Sequence, residues 1–161
     1  MGLMLVEVRE EEIPELHRMQ VESFMPLFEK YHDAGSPAIE PVERIRKRFA
    51  IKSRKYYFIM KDGIRVGAVN IGHNDPNEKK VAFISPLFVL PQFQNRGIGY
   101  NAIMKAFEMR PEVSCWKLET ILQEKGNCHL YEKCGFVRVR EEKPINDVMT
   151  LIDYERVADD H

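Results

Sequence analysis

One short segment, Gln94-Asn95-Arg96-Gly97-Ile98-Gly99, has the composition of an anion-binding turn. It stands between an apolar run and a stretch with the apolar spacing of a helix, which predicts a strand, a tight turn and a helix in that order. The first N–H groups of a helix lack partners within the helix and lie at the positive end of its dipole. Because glycines let the backbone approach a ligand closely, the segment favours binding of a phosphate group.

A tight connection that binds nothing would explain the same glycines. The segment lacks the Gly-Lys-Ser/Thr of a P-loop and the Gly-x-Gly-x-x-Gly spacing of a dinucleotide-binding turn. The mainly antiparallel strands predicted around it also differ from the parallel sheets of dinucleotide-binding folds. The segment alone therefore leaves both interpretations open, and partners elsewhere in the chain must decide between them.

A second pair of polar residues, Asn127 and Tyr131, is four positions apart in a predicted helix from 127 to 134. The two side chains therefore share one helix face, and Cys134 follows on it. Simpler structural roles exist for both residues. Asn127 would cap the N-terminus of its helix, and Tyr131 would be a core tyrosine whose hydroxyl has a partner.

The elements that must position these residues are predicted from periodicity and turn residues. A strand at 3–8 is followed by two amphipathic helices, the second opened by Pro41. Asp62-Gly63 predicts a tight hairpin, and the apolar run from 81 to 90 predicts a third strand of an antiparallel meander. Pro86 interrupts that run, so we expect a bulge or a local parting from the neighbouring strand there. Gly135 is expected to end the helix that carries Tyr131.

Composition limits the classes of function. The 161 residues include 24 basic and 25 acidic side chains, a net charge of −1, which suits one compact domain and gives no electrostatic case for nucleic acid or an anionic membrane as partner. The first residues lack the pattern of a secretory signal, and no apolar stretch is long enough to cross a bilayer. We therefore expect a cytoplasmic protein.

The cysteines predict neither a disulfide framework nor a metal site. Cys115, Cys128 and Cys134 are odd in number, which fits a reducing compartment. Cys128, His129 and Cys134 have offsets that do not share a helix face, whereas a tetrahedral metal site needs four convergent ligands. We expect no metal.

Two segments in register resemble the GNAT superfamily of acyl-CoA-dependent N-acyltransferases. The glycine turn matches that superfamily's Gln/Arg-x-x-Gly-x-Gly/Ala pattern at every fixed position. The later superfamily segment, an asparagine followed by a Tyr-Glu-Lys-x-Gly-Phe-like stretch, is similar to Asn127 and Tyr131-Glu132-Lys133-Cys134-Gly135-Phe136. The resemblance covers the chain well from about Tyr56 to Tyr154 and the helical N-terminal part only generally.

The resemblance implies a three-layer α/β fold in a single N-acetyltransferase domain, residues 1–161. Its mixed, mostly antiparallel sheet would have about seven strands, with helices on both faces and a central strand pair that splays apart. Backbone groups of Leu87, Phe88 and Val89 would then be free to pair with the pantetheine arm of the acyl donor. Pro86 independently indicates such a disturbance.

The resemblance also implies the site residues, with acetyl-CoA as donor cosubstrate and no metal. The donor's diphosphate would bind the backbone N–H groups of Gln94, Asn95, Arg96, Gly97, Ile98 and Gly99, with the Arg96 side chain assisting. Asn127 would bind pantetheine, and Tyr131 would face the sulfur. A phenol with a pKa near ~10 can donate a proton to a departing thiolate.

The residue that deprotonates the acceptor amine stays open. Many superfamily members carry a glutamate in the central strand, where this chain has Phe83. Ser85 is a poor base. Glu22 and Glu40 are better explained by a solvated helix face, and Glu119 by a buried ion pair with a lysine or arginine. A chain of water molecules is an alternative.

The acceptor pocket would come from the first helices. This stretch combines acidic and aromatic side chains that suit a cationic amine. The core explains the aromatic members equally well. The residues concerned are Glu22, Phe24, Phe28, Tyr31, Asp33 and Glu40.

The predicted function is direct transfer of an acetyl group from acetyl-CoA to a primary amine of a small molecule or peptide. Transfer takes place in a ternary complex, and Cys134 as an acyl carrier is the minor variant. The alternatives are a non-catalytic acyl-CoA sensor or interaction module and a protein N-terminal or lysine acetyltransferase. The resemblance also allows a homodimer.

Overall fold

The computed structural model describes residues 2–158, which form seven strands and four α-helices. The strands are β1 (Leu3–Glu7), β2 (Arg54–Lys61), β3 (Ile64–Gly72), β4 (Val81–Val89), β5 (Cys115–Ile121), β6 (Val137–Pro144) and β7 (Thr150–Val157). The helices are α1 (Ile13–Tyr31), α2 (Val42–Phe49), α3 (Ile98–Met109) and α4 (Lys125–Lys133). None of the helices in this described range has the length and apolar character needed to cross a membrane.

The strands form one mixed sheet in the order β1-β2-β3-β4-β5-β7-β6. All neighbouring strands are antiparallel except β4 and β5, which are parallel. The hairpin between β2 and β3 turns at Asp62 and Gly63, whose φ angles of 51° and 81° are the positive values expected of this dipeptide. The predicted antiparallel meander at the centre of the chain is confirmed.

Helices cover both faces of the sheet. Along β2, Tyr57 and Ile59 pack into one apolar cluster with α3 and α4, whereas Tyr56 and Phe58 pack into a second cluster with α1 and α2. This alternation follows from the two-residue period of a strand. The predicted three-layer α/β architecture is therefore confirmed.

The two central parallel strands part soon after they meet. β4 pairs with β5 only from Val81 to Phe83. Just beyond, the register of β4 against β3 shifts at Ser85 and Pro86, which lie between two paired positions. Pro86 has no N–H to donate, so the regular ladder stops there. The predicted bulge and the splayed central pair are both confirmed.

The helix that carries Tyr131 begins earlier than predicted. α4 starts at Lys125 with Glu124 at the N-cap, so Asn127 lies inside the first turn and does not cap the helix. The helix ends as predicted, because Gly135 has a φ of 95°.

Candidate functional site

A cavity of about 560 Å³ opens where β4 leaves β5. Its walls come from α1, the end of β4, the turn before α3, the first turn of α3 and the first two turns of α4. Nearly all the site residues expected from the sequence line it: Leu87, Phe88, Val89, Gln94, Asn95, Gly97, Ile98, Gly99, Asn127 and Tyr131. Arg96 does not line it.

The turn before α3 presents a row of unpaired amides to this cavity. The backbone N–H of Gln94, which was expected to be free, donates to the Pro91 carbonyl at 3.3 Å, so that part of the prediction is wrong. None of the backbone N–H groups of residues 95–100 donates to an acceptor within residues 2–158. Asn95 and Gly97 have positive φ angles of 64° and 77°, and no side chain caps the helix. Consecutive free N–H groups at a helix N-terminus attract anions, and phosphate oxygens fit this arrangement.

Glycine is required at the two positions of the turn for different structural reasons. Gly97 has the left-handed backbone that residues with a Cβ rarely adopt. A Cβ on Gly99 would lie 3.1 Å from Leu130 Cδ2, so Gly99 permits the close approach of α3 to α4. Gly97 thus serves the backbone conformation of the turn with its unpaired amides, and Gly99 serves the packing of α3 against α4.

Two side chains of the turn act on protein groups. The Gln94 amide donates to the Val89 carbonyl at 2.9 Å, which fixes the turn to the end of β4. The exposed Arg96 guanidinium lies 5.8 Å from the ring centre of Phe93. Arg96 therefore contributes positive charge beside the turn and not a wall of the cavity.

Where it borders the cavity, the edge of β4 that faces β5 has no strand partner among the described residues, although the Gln94 side chain donates to the Val89 carbonyl. The N–H of Leu90 donates to the carbonyl of Val66 in β3 at 2.8 Å. Hydrogen-bonded positions alternate along an antiparallel pair, so the backbone groups of Val89 and Leu87 point away from β3. The backbone groups of Phe88 face Ala68 of β3 instead, so the prediction that they are free is wrong. Pairing with β5 has already ended at Phe83. The amide groups of an extended ligand could take the missing places.

Tyr131 is buried at the inner wall, where only 9% of the residue is exposed. Its ring lies 6.2 Å from the rings of both Phe136 and Tyr154. Burial raises the pKa of Tyr131 to about 12, with additional effects from Cys134 and Cys128 and a smaller opposing effect from Thr120. The phenol therefore keeps its proton throughout the neutral range and can act as a hydrogen-bond donor.

Asn127 lies four residues before Tyr131 and lines the same cavity. Its backbone N–H donates to the Glu124 carbonyl at 3.1 Å. Its side-chain amide has no hydrogen-bond partner among the described residues, so it is available to a ligand.

The polar residues of the cavity that were not predicted as site residues include Ser23, Lys30 and Glu124. Glu124 meets Lys30 at an N–O distance of 2.8 Å, although the two are 94 positions apart in sequence. Burial raises the pKa of Glu124, and hydrogen bonds from Lys30 and Tyr31 outweigh it, so the net shift is downward. Glu124 is therefore an ionised carboxylate.

None of the acids considered from the sequence borders the cavity. Glu22 pairs with Arg18 on the exposed face of α1, and Glu119 pairs with Lys143. Glu40 accepts hydrogen bonds from Gln20 and from both terminal nitrogens of Arg48. Glu22 lies on a solvated helix face, as expected. The solvated face expected for Glu40 is wrong, because its side chain is only 14% exposed in the pair with Arg48. Glu119 has the expected ion pair, but the pair is exposed and not buried.

Phe83 and Ser85 are also away from the cavity. Phe83 pairs with Lys117 of β5, and the Lys117 ammonium lies 6.0 Å from its ring centre. Ser85 is exposed at the bulge. The central strand therefore brings no basic side chain to the site.

Among residues 2–158, no group of three or more His, Cys, Asp or Glu side chains is arranged to hold a metal ion. The three cysteines are free thiols.

Cys134 is a poor nucleophile in this fold. It is 4% exposed, and burial raises the pKa of its thiol to about 11. The thiolate is the reactive form of cysteine, so very little of it is present near neutral pH.

We expect Cys134→Ala to retain at least about half of the predicted acetyl-transfer rate, because very little of the Cys134 thiol is ionised near neutral pH. The measurement is steady-state turnover together with mass spectrometry of the protein after mixing with acetyl-CoA. Loss of turnover by about 100-fold, or an acetyl adduct on Cys134, would establish the acyl-carrier variant instead.

Comparisons with known proteins identify the family of the chain and the structures that share its fold. The family model of the acetyltransferase (GNAT) family matches residues 14–136. No curated protein matches the chain significantly.

Solved structures share the fold at low sequence identity. An acetyltransferase from Thermus thermophilus is 21% identical, with a TM-score of 0.77 over 98% of this chain and 97% of that one. A spermidine N-acetyltransferase from Vibrio cholerae in complex with CoA and spermine is 15% identical, with a TM-score of 0.72 over 96% and 95% of the two chains.

A ribosomal L7/L12 alpha-N-protein acetyltransferase in complex with coenzyme A is 17% identical, with a TM-score of 0.71 over 97% and 94% of the two chains. These likenesses concern the fold, and the family model covers well over half of the chain. The protein therefore belongs to the acetyltransferase (GNAT) family.

Proposed function

We propose that residues 1–161 form a single N-acetyltransferase domain that moves an acetyl group from acetyl-CoA to a primary amine by direct attack in a ternary complex. The observation that carries this proposal is one continuous cavity. It joins a row of free amides, a free strand edge and a buried phenol. Family membership supports an acetyl-CoA-dependent reaction.

The proposed donor contacts follow the cavity walls. The diphosphate accepts hydrogen bonds from the N–H groups of residues 95–100, helped by the positive charge of Arg96. The pantetheine amides pair with Leu87 and Val89 as an added strand would. The Asn127 amide binds the same arm, and the sulfur lies near Tyr131.

The proposed chemistry is a single acyl transfer. The nitrogen of the neutral amine attacks the thioester carbonyl, a C–N bond forms, and the C–S electron pair goes to sulfur. The Tyr131 hydroxyl donates a hydrogen bond to the sulfur as charge develops there. The pKa of Tyr131, about 12, lies above the ordinary thiol value of about 8.5, so complete transfer of the proton from the phenol to the thiolate is unfavourable. The phenol therefore stabilises the departing sulfur by donating a hydrogen bond and keeps its proton.

The amine must lose its proton before it attacks. Glu124 is the one carboxylate among the described residues that line the cavity, and its lowered pKa makes it a weak base. We therefore propose that water accepts the proton of the amine and that no side chain acts as a general base.

A pH profile checks this assignment. With an α-amine of pKa near 8 as acceptor, kcat/KM should rise about tenfold per pH unit below that value and then level off. It should stay level to about pH 10, because Tyr131 is still protonated there. A decline between pH 8 and 10 in protein that circular dichroism shows to be folded would contradict the role of Tyr131 as donor.

The function itself is tested by CoA release from acetyl-CoA across amino acids, polyamines, aminoglycosides and peptides, with calorimetry of acetyl-CoA binding. Binding together with release for at least one acceptor is expected. Binding without release for any acceptor would favour a sensor, and a lack of binding would overturn the proposal.

We place the reaction in the cytoplasm, and the free thiols of Cys115, Cys128 and Cys134 support a reducing compartment. The homodimer stays a prediction.

A further inference from the structure

A small polar cluster closes one side of the cavity where α1 meets the N-terminus of α4. The Lys30 ammonium and the Tyr31 hydroxyl both donate to Oε2 of Glu124, at 2.8 and 2.5 Å. No described residue donates to Oε1 of the same carboxylate, and the side chain of Glu124 is 20% exposed. The cluster thus holds the carboxylate in place and leaves one oxygen for a donor outside the chain.

Lys30 also has unused hydrogen-bonding capacity. An ammonium has three N–H donors, and the Glu124 carboxylate is the hydrogen-bond acceptor that the structure gives it. The Lys30 side chain is 59% exposed. Its remaining donors are therefore available to an anion that approaches the cavity opening.

A third group in the cavity lacks a partner. Ser23 lines the cavity and is only 6% exposed. Its hydroxyl is fully buried and makes no hydrogen bond within the described residues. Buried polar groups without partners are rare in native proteins. A ligand that occupies the cavity would supply the missing bond.

The charges in the cavity wall are matched. Lys30 and Glu124 are the charged residues among the described ones that line the cavity, one positive and one negative. Phe24, Leu27 and Pro26 make the wall around them apolar. A polyamine would bring several positive charges against one carboxylate that Lys30 already neutralises, whereas a molecule with one charge of each sign would complement both residues.

From this arrangement we infer that the acceptor carries a carboxylate as well as its amine, as an α-amino acid does. Lys30 binds the carboxylate, Oε1 of Glu124 accepts an N–H of the amino group, and Ser23 completes the hydrogen bonding. The free oxygen can accept from a neutral amine as well as from an ammonium. This inference rests on the proposed acetyl transfer and names its substrate class.

The experiment compares the common α-amino acids with the matching α-amino amides, which keep the amine and lack the carboxylate. CoA release is measured with the full chain and saturating acetyl-CoA. At least one acid should exceed its amide in kcat/KM by about tenfold or more, as expected for a charged hydrogen bond. The kcat/KM for spermidine should be lower than the value for that acid.

Variants separate the two contacts. Lys30→Met removes a hydrogen bond that positions Glu124, so both substrates should lose some kcat/KM, and the acid should lose about tenfold more than the amide. Glu124→Gln should lower both. Lys125→Met, which removes an exposed lysine next to Glu124 that does not line the cavity, is the matched control and should change neither.

The acetyl-CoA dissociation constant should be the same in the Lys30 variant and the parent protein. An equal loss for acid and amide in Lys30→Met, or a preference for spermidine over every amino acid, would overturn the inference. In either case, transfer to some acceptor would leave the proposed function standing. Failure to bind acetyl-CoA would instead overturn the proposed function and the inference with it.

Discussion

Gly97→Glu is expected to weaken acetyl-CoA binding by at least about 100-fold, or about 2.7 kcal/mol. Gly97 lines the cavity within the row of free amides and has a φ of 77°. A carboxylate there would compete for the amides and repel the diphosphate, and each charged hydrogen bond lost costs about 1.5 to 3 kcal/mol. Calorimetric titration with acetyl-CoA measures the effect.

Gly63→Glu is the matched control. Gly63 has a φ of 81° with open space around its Cβ position, and it lies in the hairpin between β2 and β3, away from the cavity. The two variants therefore share the backbone strain and the added charge. We expect Gly63→Glu to lower Tm by a similar amount and to keep the parent affinity. Equal affinity of both variants for acetyl-CoA would show that the turn does not bind the donor.

Tyr131→Phe is expected to lower kcat by about 100-fold or more, in the range of lost acid catalysis. The dissociation constant of acetyl-CoA should change less than about threefold, because the ring and its packing remain. The hydroxyl is the group lost, and burial has kept it protonated. Single-turnover measurements of CoA release, with calorimetry, separate the two quantities.

Tyr154→Phe provides the comparison for this variant. Tyr154 is also buried, its ring lies 6.2 Å from that of Tyr131, and its hydroxyl donates to Glu132 at 2.8 Å. Removing that hydrogen bond should cost about 1 kcal/mol of stability and leave kcat within about threefold. If both variants lose turnover equally, the effect of Tyr131→Phe comes from core packing and its role as a donor is wrong.

Local chemistry made most of the fold predictable. Asp62-Gly63 requires positive φ angles, and Pro86 cannot donate to a ladder, so the hairpin and the parted strands follow from residue types. The predicted start of α4, at Asn127, was wrong because asparagine is more strongly preferred at the N-cap position of helices than glutamate. In the structure the Glu124 side chain contacts α1 instead of capping its own helix.

The candidate site was predictable only where its residues are close in sequence. The turn and the helix face of Asn127 and Tyr131 have local spacing that a motif can capture. Ser23 and Lys30 look like ordinary residues of an amphipathic helix. Their place in the cavity depends on the contact between α1 and α4, which brings together positions 94 apart.

The parting of β4 from β5 divides the sheet into two half-sheets joined by three residue pairs. A donor whose pantetheine arm bonds to β4 while its other atoms contact α4 would bridge these halves. The amide hydrogens of Leu87 and Val89 should then exchange rapidly in the free protein and slowly with CoA bound. Because a donor bound between the halves would itself form one wall of the space left for the acceptor, we expect compulsory order, with the donor binding before the acceptor.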